Sequence, residues 1–573
     1  MSEQPIPLKD EKNFYHPQSE QEIITLVKLA KEKSLKVRVR GSGHSMARAI
    51  FTDTDTGTPA RDGIAVNEEA PDGKDINIVL DQYAKIISVD TESNLVTVQA
   101  GIHLGRDPED PRSTLENSLL YVLHHTFGLT LVNLGGITHQ TVGGFLMTGS
   151  SGGSLLYSVQ DNVHALRFID GCGAPYDVDS DEENFDAYVV SLGLLGVLSR
   201  VTFKCEKTFN IKGSQSVALT KLSSVDLFEE DEQRQTMDQA EKRPNLIEFL
   251  SKNDYARLLW WPQGTELLSS TTVWKAKKMD AEPSFKPNPH AVFDNLSTMV
   301  LYSYVMILLG NFGNKDGVLA LAQKKSERIQ KLKTEELLKA NPSLCEDVAK
   351  KLAESYDNCN LSLLGLAANA ISDIDCKPLI HFLTTVAIGI FNSIDGNVEF
   401  QDYSYTGLPM DNSADDVIVP VMWTEMWIPL GKATEAMKAL REYVGWSIEK
   451  AGNNAWELYA AKPSKAWLSM SYTDGNDEWK DGAFRIDPYW CADNQGNFRD
   501  FYKPIWKCLK EAKIPFRLHW GKSFPLIDDA DITREDVVTE RYPLLKAFRD
   551  IQKKRDPAGV FLNDYWRHWL SFE

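Results

Sequence analysis

The stretch Leu35-Lys36-Val37-Arg38-Val39-Arg40-Gly41-Ser42-Gly43-His44-Ser45 decides the fold. Its first residues alternate as a half-buried strand does. The chain then breaks into small residues, and a strand ending this way turns several backbone N–H groups in one direction. Such a nest takes up an anion, typically a diphosphate. Gly41, Ser42, Gly43 and Ser45 leave the backbone accessible, and Arg38 or Arg40 adds positive charge. His44 has no part in a bare phosphate cradle. An imidazole there is placed to bond to a cofactor held by the loop.

Upstream, Ser19-Glu20-Gln21-Glu22 reads as a capping box, followed by Ile23, Ile24, Leu26, Val27 and Leu29 at helical spacing. Downstream lies a strand, Ile76–Leu80. A hairpin follows, Ile86–Asp90 and Leu95–Gln99, turning around Glu92–Asn94. A helix carrying Leu119, Leu120, Val122 and Leu123 leads into a second glycine-rich block. That block runs from Val132 through Gly135, Gly136, Thr141, Gly143, Gly144, Thr148 and Gly149 to Gly153. Strands are predicted near 163–169 and 197–203. Residues 1–210 therefore predict one α+β unit with two glycine-rich loops, and 53–75, rich in Asp, Thr, Gly and Pro, a surface excursion.

Between about 210 and 400 the pattern changes to long charged helices, as from Leu319 to Ala340, interrupted by apolar stretches at Met299–Leu309 and Leu379–Phe391. Both stretches are shorter than the ~20 residues a membrane span needs, so buried helices and no transmembrane segment are expected. Strand-like segments resume at Val417–Trp427 and Trp467–Tyr472. The tail from Asn497 to Glu573 carries helix–strand–helix signals. The organisation predicted is a cofactor unit over 1–210, a cap over 211–500 with an antiparallel sheet and a helical insert at about 210–400, and a closing segment over 501–573.

Composition narrows the chemistry. The chain of 573 residues carries a net charge of −19, which disfavours nucleic acid or an anionic membrane as partner. Its seven cysteines are dispersed, with no CxxC and no metal-ligand spacing. They read as reduced thiols of a cytoplasmic or otherwise intracellular protein. The N-terminus shows neither the basic nor the apolar region of a secretory signal. Neither glycine block fits GxGxxG followed by a helix and an acidic ribose clamp, and no GxxxxGK[ST] loop is present. Two backbone cradles in one α+β unit suit a long cofactor with a diphosphate in its middle, and FAD is the natural candidate.

In order along the chain, Gly41-Ser42-Gly43-His44-Ser45, Asp81…Val98-Gln99-Ala100-Gly101 and Thr148-Gly149-Ser150-Ser151-Gly152 resemble the vanillyl-alcohol oxidase / p-cresol methylhydroxylase superfamily of flavoproteins. His519-Trp520-Gly521-Lys522 and Asp556-Pro557-Ala558-Gly559-Val560-Phe561-Leu562-Asn563 are similar to its aldonolactone and alditol oxidase branch. The resemblance implies a two-subdomain PCMH-type FAD-binding domain and a cap. It implies that His44 is bonded to the flavin 8α-methyl group, as a single linkage, since no cysteine precedes Cys172. It places Arg40, Gly41, Ser42, Gly43, Ser45, Gly135, Gly136, Thr141, Gly144, Thr148, Gly149, Ser150, Ser151 and Val197 at the cofactor.

By the same resemblance, Gly135 leaves dioxygen a path to the flavin, the mark of an oxidase, and Lys522 stands near the flavin N1/C2=O edge. The implied reaction is hydride transfer from a CH–OH carbon of a small molecule, with dioxygen reduced to hydrogen peroxide. His519, Tyr472 and Glu425 are the candidate bases. Sugar-oxidising relatives carry a Glu-x-Arg pair facing the flavin. The best-aligned stretch here, Ser469-Met470-Ser471-Tyr472-Thr473, lacks it, although Glu425 and Arg485 are placed to compensate. With tryptophans at 423, 427, 467 and 490, this points to a less polar pocket. Two alternatives follow: a dehydrogenase passing electrons from a bulky or lipophilic substrate to another acceptor, and a catalytically silent binding protein on the same fold.

Overall fold

The computed structural model describes residues 7–53, 63, 68–230, 242–263, 269–290, 292–293, 295–372, 377–392, 397–412, 414–445 and 447–572. Most of the excursion expected at 53–75 lies outside the described residues.

The N-terminal part builds two small sheets. Strands β1 (Phe14–Tyr15), β2 (Val37–Arg40) and β3 (Ile76–Val79) form a parallel sheet in the order β1-β3-β2. Helix α1 (Glu20–Lys33) feeds β2 and is capped by Ser19, whose hydroxyl accepts the Glu22 N–H. The Glu22 carboxylate accepts from Gln18 N–H instead of closing the box on Ser19. Ile23, Leu26, Val27 and Ala30 bury the inner face of α1 completely. An antiparallel sheet then follows from β4 (Ile86–Asp90), β5 (Leu95–Gln99), β6 (Val163–Ile169), β7 (Pro175–Asp179) and β8 (Val197–Lys204), in the order β4-β5-β8-β6-β7. The second glycine block forms a short helix, α2 (Val142–Met147), whose N-cap Thr141 accepts the Gly144 N–H. Gly101, between the two sheets, tolerates no side chain, because a Cβ would fall 1.9 Å from the Leu80 carbonyl oxygen.

The remainder is organised by one nine-stranded antiparallel sheet. It contains β9 (Phe209–Leu219), β10 (Tyr255–Trp261), β11 (Ser270–Asp280), β12 (Asn397–Tyr403), β13 (Val421–Trp423), β14 (Met426–Pro429), β15 (Trp456–Ala461), β16 (Ala483–Cys491) and β17 (Arg517–Leu518). The path runs β12-β9-β11-β10-β15-β16-β14-β17, with β13 also paired to β16. Strands β10 and β15 are buried at every position, as central strands covered on both faces must be.

The helical run is narrower than the sequence pattern predicts. It occupies α3 (Leu296–Gly310), α4 (Lys315–Gln323), α5 (Ser326–Ala340), α6 (Glu346–Ser372) and α7 (Lys377–Asn392). The flanking β9, β10, β11 and β12 belong to the large sheet. These helices have a core of their own, joined to the sheet through Leu259, Trp261, Ala455 and Cys491. The helix expected over Leu319–Ala340 is two helices. They part at Lys324–Lys325, where the Lys325 ammonium turns inward to the Val417 carbonyl (2.9 Å) and Asp493 (2.8 Å). The strand expected at Val417–Trp427 starts only at Val421, because the Asp415 carboxylate accepts the N–H groups of Val417 and Ile418 and holds a turn there. The segment Trp467–Tyr472 is a chain of turns, with Ser469 N–H bonded to Ala466 and Tyr472 N–H to Ser469. The alternating small and large residues there are buried by tertiary packing, which mimics a strand pattern. Helices α8 (Ala433–Val444) and α9 (Phe498–Glu511) pack against each other beside the sheet, and α10 (Leu545–Arg555) and α11 (Asp564–Trp569) end the chain. Among the described residues, no helix is long and apolar enough to cross a membrane.

Candidate active site

A cavity of about 1080 Å3 runs from the end of β2 to the start of the His519–Lys522 turn. Arg40 to Ser45 line one side; Gln140, Thr141, Gly143, Gly144, Met147, Thr148, Ser150 and Val197 line another. The backbone N–H groups of Ser42, Gly43, His44 and Ser45 donate no hydrogen bond to any described residue. Four open donors at the end of a strand are what an anionic group requires. The loops are also closely apposed: a Cβ on Gly41 would sit 2.4 Å from Thr141 Oγ1. Arg38 is spent elsewhere, donating to the carbonyls of Ala49, Leu192 and Phe561, and Arg40 also lines the cavity beside the loop. The four open donors and the small-residue walls of the cavity fit a flavin dinucleotide. Gly41–Ser45 would hold the diphosphate, with Gly143 and Gly144 leaving the facing wall free of side chains.

At its far end this cavity meets a second one, of about 1040 Å3, and the two share Gln140, Ser150, His519 and Lys522. The Lys522 ammonium donates to the His44 carbonyl (3.2 Å) and sits 3.8 Å above the Trp423 ring. Burial pulls it down to about 8. Burial also holds His519 down to about 4, so its ring is neutral. Its Nδ1 accepts the Gly521 N–H (3.1 Å), which leaves the proton on Nε2. His519 is therefore a hydrogen-bond donor toward the junction, not a base.

The second cavity is walled by Phe293, Tyr302, Met410, Ala414, Val419, Val421 and Trp423 on its apolar side. Opposite them is a buried charge cluster. Arg485, on β16, donates to Asp487 (2.6 and 3.1 Å) and to the Ser151 carbonyl (2.8 Å), and its Nε lies 3.7 Å from Glu425. Burial raises Glu425, but the charges of Arg485 and Lys522 outweigh it and hold the carboxyl below its ordinary range. Glu425 Oε2 accepts no hydrogen bond and faces the cavity as an ionised acceptor. Glu457, on β15, accepts from Tyr489 (2.5 Å), and burial raises both Glu457 and Asp487.

The carboxylate and guanidinium missing from Ser469–Thr473 are present in space. The cavity strand is β15, reading Glu457-Leu458-Tyr459, and the arginine arrives from its neighbour. Tyr459 pairs with Arg485 across the two strands, and the guanidinium lies 4.4 Å over the tyrosine ring. No spacing within one strand could disclose that pair.

The other expected residues distribute as follows. Gly135, Gly136 and Ser151 line the second cavity rather than the first. Gly149 lines neither. It is a turn residue at φ 72°, and a Cβ there would press on Met470 and Val190. Tyr472 also lines neither cavity, and its carbonyl accepts from Arg517 (2.8 Å). Asp416 was not singled out in the sequence. It lines the second cavity, with burial raising it to about 6. Its side chain reaches the site from a loop whose pattern resembles a strand, so no sequence signal marks it.

Residues 354–569 match the family model described as D-arabinono-1,4-lactone oxidase. A putative D-arabinono-1,4-lactone oxidase of Neurospora crassa is 26% identical over 272 residues, 47% of this chain and 38% of the relative. L-gulonolactone oxidase of Bos taurus is 26% identical over 252 residues, 44% of this chain and 45% of the relative. The mitochondrial L-galactono-1,4-lactone dehydrogenase of Arabidopsis thaliana is 25% identical over 279 residues, 48% of this chain and 37% of the relative. The aligned region thus spans less than half the length of these relatives. In three dimensions, cholesterol oxidase from Brevibacterium sterolicum superposes with a TM-score of 0.62 at 14% identity, covering 97% of this chain and 94% of that one. A solvent-stable cholesterol oxidase gives 0.58 at 13%, covering 98% and 97%. The chain is thus similar in part of its sequence to aldonolactone oxidases and dehydrogenases, and its fold is that of the cholesterol oxidases.

Proposed function

We propose that this protein is an FAD-dependent oxidase that removes a hydride from a CH–OH carbon of a neutral small molecule and passes the electrons to dioxygen. The carrying observation is the junction of the two cavities, where Lys522 and His519 present donors to one place and Glu425 presents an open carboxylate across it. The flavin, when bound, supplies the hydride acceptor. The chain's own part begins with Gly41–Ser45, which hold the diphosphate end, with His44 bonded to the flavin. Lys522 and the Nε2–H of His519 stabilise negative charge at the acceptor's oxygen edge. Glu425 accepts the hydroxyl proton of the substrate, and Arg485 keeps that carboxylate ionised and oriented. The apolar wall from Phe293 to Trp423 excludes water and suits a substrate larger than a bare sugar lactone. Gly135 favours dioxygen as acceptor, and the dispersed thiols support an intracellular setting.

The test starts with the purified flavoprotein. Acid precipitation should give a yellow pellet, and a colourless one removes the bond to His44. Anaerobic mixing with aldonolactones, alditols and bulkier secondary alcohols should bleach the flavin with at least one class, and air should restore colour with release of hydrogen peroxide. Bleaching with slow reoxidation would make the protein a dehydrogenase. No bleaching across the panel would make it a binding protein.

A further inference from the structure

A third cavity, of about 820 Å3, adjoins the second, and Met410 and Asp411 line both. Its volume lies within the roughly 300–1,000 Å3 of small-molecule sites. The partition between the two is held firmly at its backbone. The N–H groups of Met410 and Asp411 both donate to the Gly136 carbonyl (2.8 and 3.0 Å), and Arg257 donates to the Leu408 carbonyl (3.2 Å). Of the two shared side chains, Met410 is the adaptable one, an unbranched thioether that can turn without disturbing that backbone. Passage between the cavities is therefore set by a side chain and not by the loop.

Tyr403, at the end of β12, and Tyr405 form one wall of this cavity, their rings stacked at 5.9 Å and 10°. They are backed by a π-helical turn, Leu123–Phe127, a form that recurs at functional sites. His125 shares a hydrogen bond with the Tyr405 hydroxyl (3.0 Å), and the His124 ring packs on Tyr403 at 4.7 Å and on Tyr405 at 5.0 Å. Burial holds His124 down to about 4, so that ring is neutral. Another wall is Pro287, Pro289 and His290. Asn288, between the prolines, exchanges backbone hydrogen bonds with Gln401 (2.7 and 3.2 Å), and the Gln215 amide donates to His290 Nε2 (2.9 Å). Two prolines around a paired residue stiffen the wall. The remaining polar lining is Asp402, Thr406, Asp411 and Asn412, and among the described lining residues there is no lysine or arginine. Carboxylate, amide and hydroxyl groups beside aromatic faces suit a sugar ring. Its hydroxyls donate to the acceptors, and its C–H face rests on the negative face of a tyrosine. An aliphatic tail would leave those polar groups without partners, and an anion would meet two carboxylates and no cation.

We infer that the third cavity is an outer subsite for a neutral glycosyl group: the alcohol oxidised in the second cavity belongs to a glycosylated substrate whose sugar ring lies against Tyr403 and Tyr405. This rests on the reading of the second cavity as the place of oxidation. Met410 stands where the linkage between the two parts of the substrate passes.

The purified flavoprotein is tested with maltitol and cellobiitol, glucosyl alditols of opposite anomeric linkage, and with sorbitol, the same alditol without the glucosyl ring. Saturation-transfer NMR reads binding, and anaerobic stopped-flow mixing reads flavin bleaching. Wild type should bind at least one glucosyl alditol through its glucosyl protons and prefer it to sorbitol in both measurements. Tyr403→Ala removes a platform and Thr406→Trp fills the cavity. Each should cut that preference roughly tenfold, as loss of an aromatic contact does. Two variants with opposite steric effects keep a folding failure of one from deciding the outcome. A preference unchanged in both, or no binding of either glucosyl alditol by wild type, overturns the subsite. Binding of 4-phenylbutan-2-ol in their place gives the cavity to an aryl tail and overturns the glycosyl assignment. A glucosyl ring bound by wild type and lost in both variants, with the flavin never bleached, upholds the subsite and refutes oxidation in the second cavity, a different failure.

Discussion

Replacing Arg485 by methionine removes a cation held in contact with Asp487, close to Glu425 and across β15–β16 from Glu457, while filling most of its volume. Its side chain is 7% exposed, and those of Asp487 and Glu425 are 2% and 8%. Breaking a buried pair by deleting one partner costs about 3–5 kcal/mol, because the other charge stays buried without compensation. Unfolding entropies near 2.1 cal/mol/K per residue give about 1.2 kcal/mol/K for a chain this long, so Tm at pH 7.5 should fall by roughly 3–4 °C. The stranded carboxylates can relieve the cost by taking up a proton. Burial already raises Asp487 and Glu457, and loss of the guanidinium raises them further. A carboxyl raised in the folded state binds its proton more tightly folded than unfolded, so its contribution is present at low pH and lost as pH rises toward the folded value. The variant should therefore recover relative to wild type on acidification. Each proton taken up is worth about 2.7 kcal/mol between pH 7.5 and 5.5. Near-ultraviolet circular dichroism melts of both proteins at the two pH values give the comparison. A Tm gap equal or wider at pH 5.5 would show that Arg485 acts by packing and not by charge compensation.

Lys522→Met should slow flavin reduction by about 100-fold or more, as loss of one preorganised donor to developing negative charge does. In wild type the cation is present below about 8 and lost above it, so the reduction rate should fall on that alkaline limb. Lys522→Arg should carry no such limb; a limb that persists assigns it elsewhere. Gly135→Leu fills space at the edge of the second cavity, where even a Cβ meets Phe145 at 3.2 Å. Stopped-flow mixing of the reduced variant with oxygen should show slowed reoxidation, and an unchanged rate would leave Gly135 with a purely conformational role. Gly101→Ala drives a methyl group into the Leu80 and Tyr83 carbonyls. It should lower Tm and soluble yield sharply, and a variant as stable as wild type would contradict the close apposition of those segments.

The first cavity was legible because its determinants are local. A strand, a run of small residues and one histidine occupy adjacent positions, and Thr141 caps the helix that completes the cradle. The α+β class and most N-terminal strands follow from the same alternation. The second cavity was only partly legible. Lys522 and His519 stand in one short turn and could be named, as could Glu425. Glu457 and Arg485 come together only through the register of β15 on β16, and Asp416 only because Asp415 folds the loop before β13 into a turn. Tyr472 drew attention from a segment whose buried alternating residues suit a strand. Its backbone instead closes turns on itself and on Arg517. Periodicity reports which residues are buried. It does not report which hydrogen-bond partner buried them.

The balance of charge in the second cavity limits what can enter it. Glu425, Glu457, Asp487, Asp411 and Asp416 line it against Arg485 and Lys522. Arg485 is already engaged by Asp487, the Ser151 carbonyl and Glu425, and Lys522 by the His44 carbonyl and the Trp423 face. Among the described lining residues, an anionic substrate would find no uncommitted cation to pair with. At about 6 Å from an ionised Glu425 it would meet a repulsion of about 3 kcal/mol at an effective dielectric of 20, more than a hundredfold in binding. A neutral alcohol or lactone escapes that cost and still offers Glu425 a hydroxyl proton. The carboxylate that opposes an anion is thus the group that takes the proton, so one residue enforces neutrality and performs the chemistry. Arg485 serves both ends by keeping Glu425 ionised without leaving a free guanidinium to attract acids.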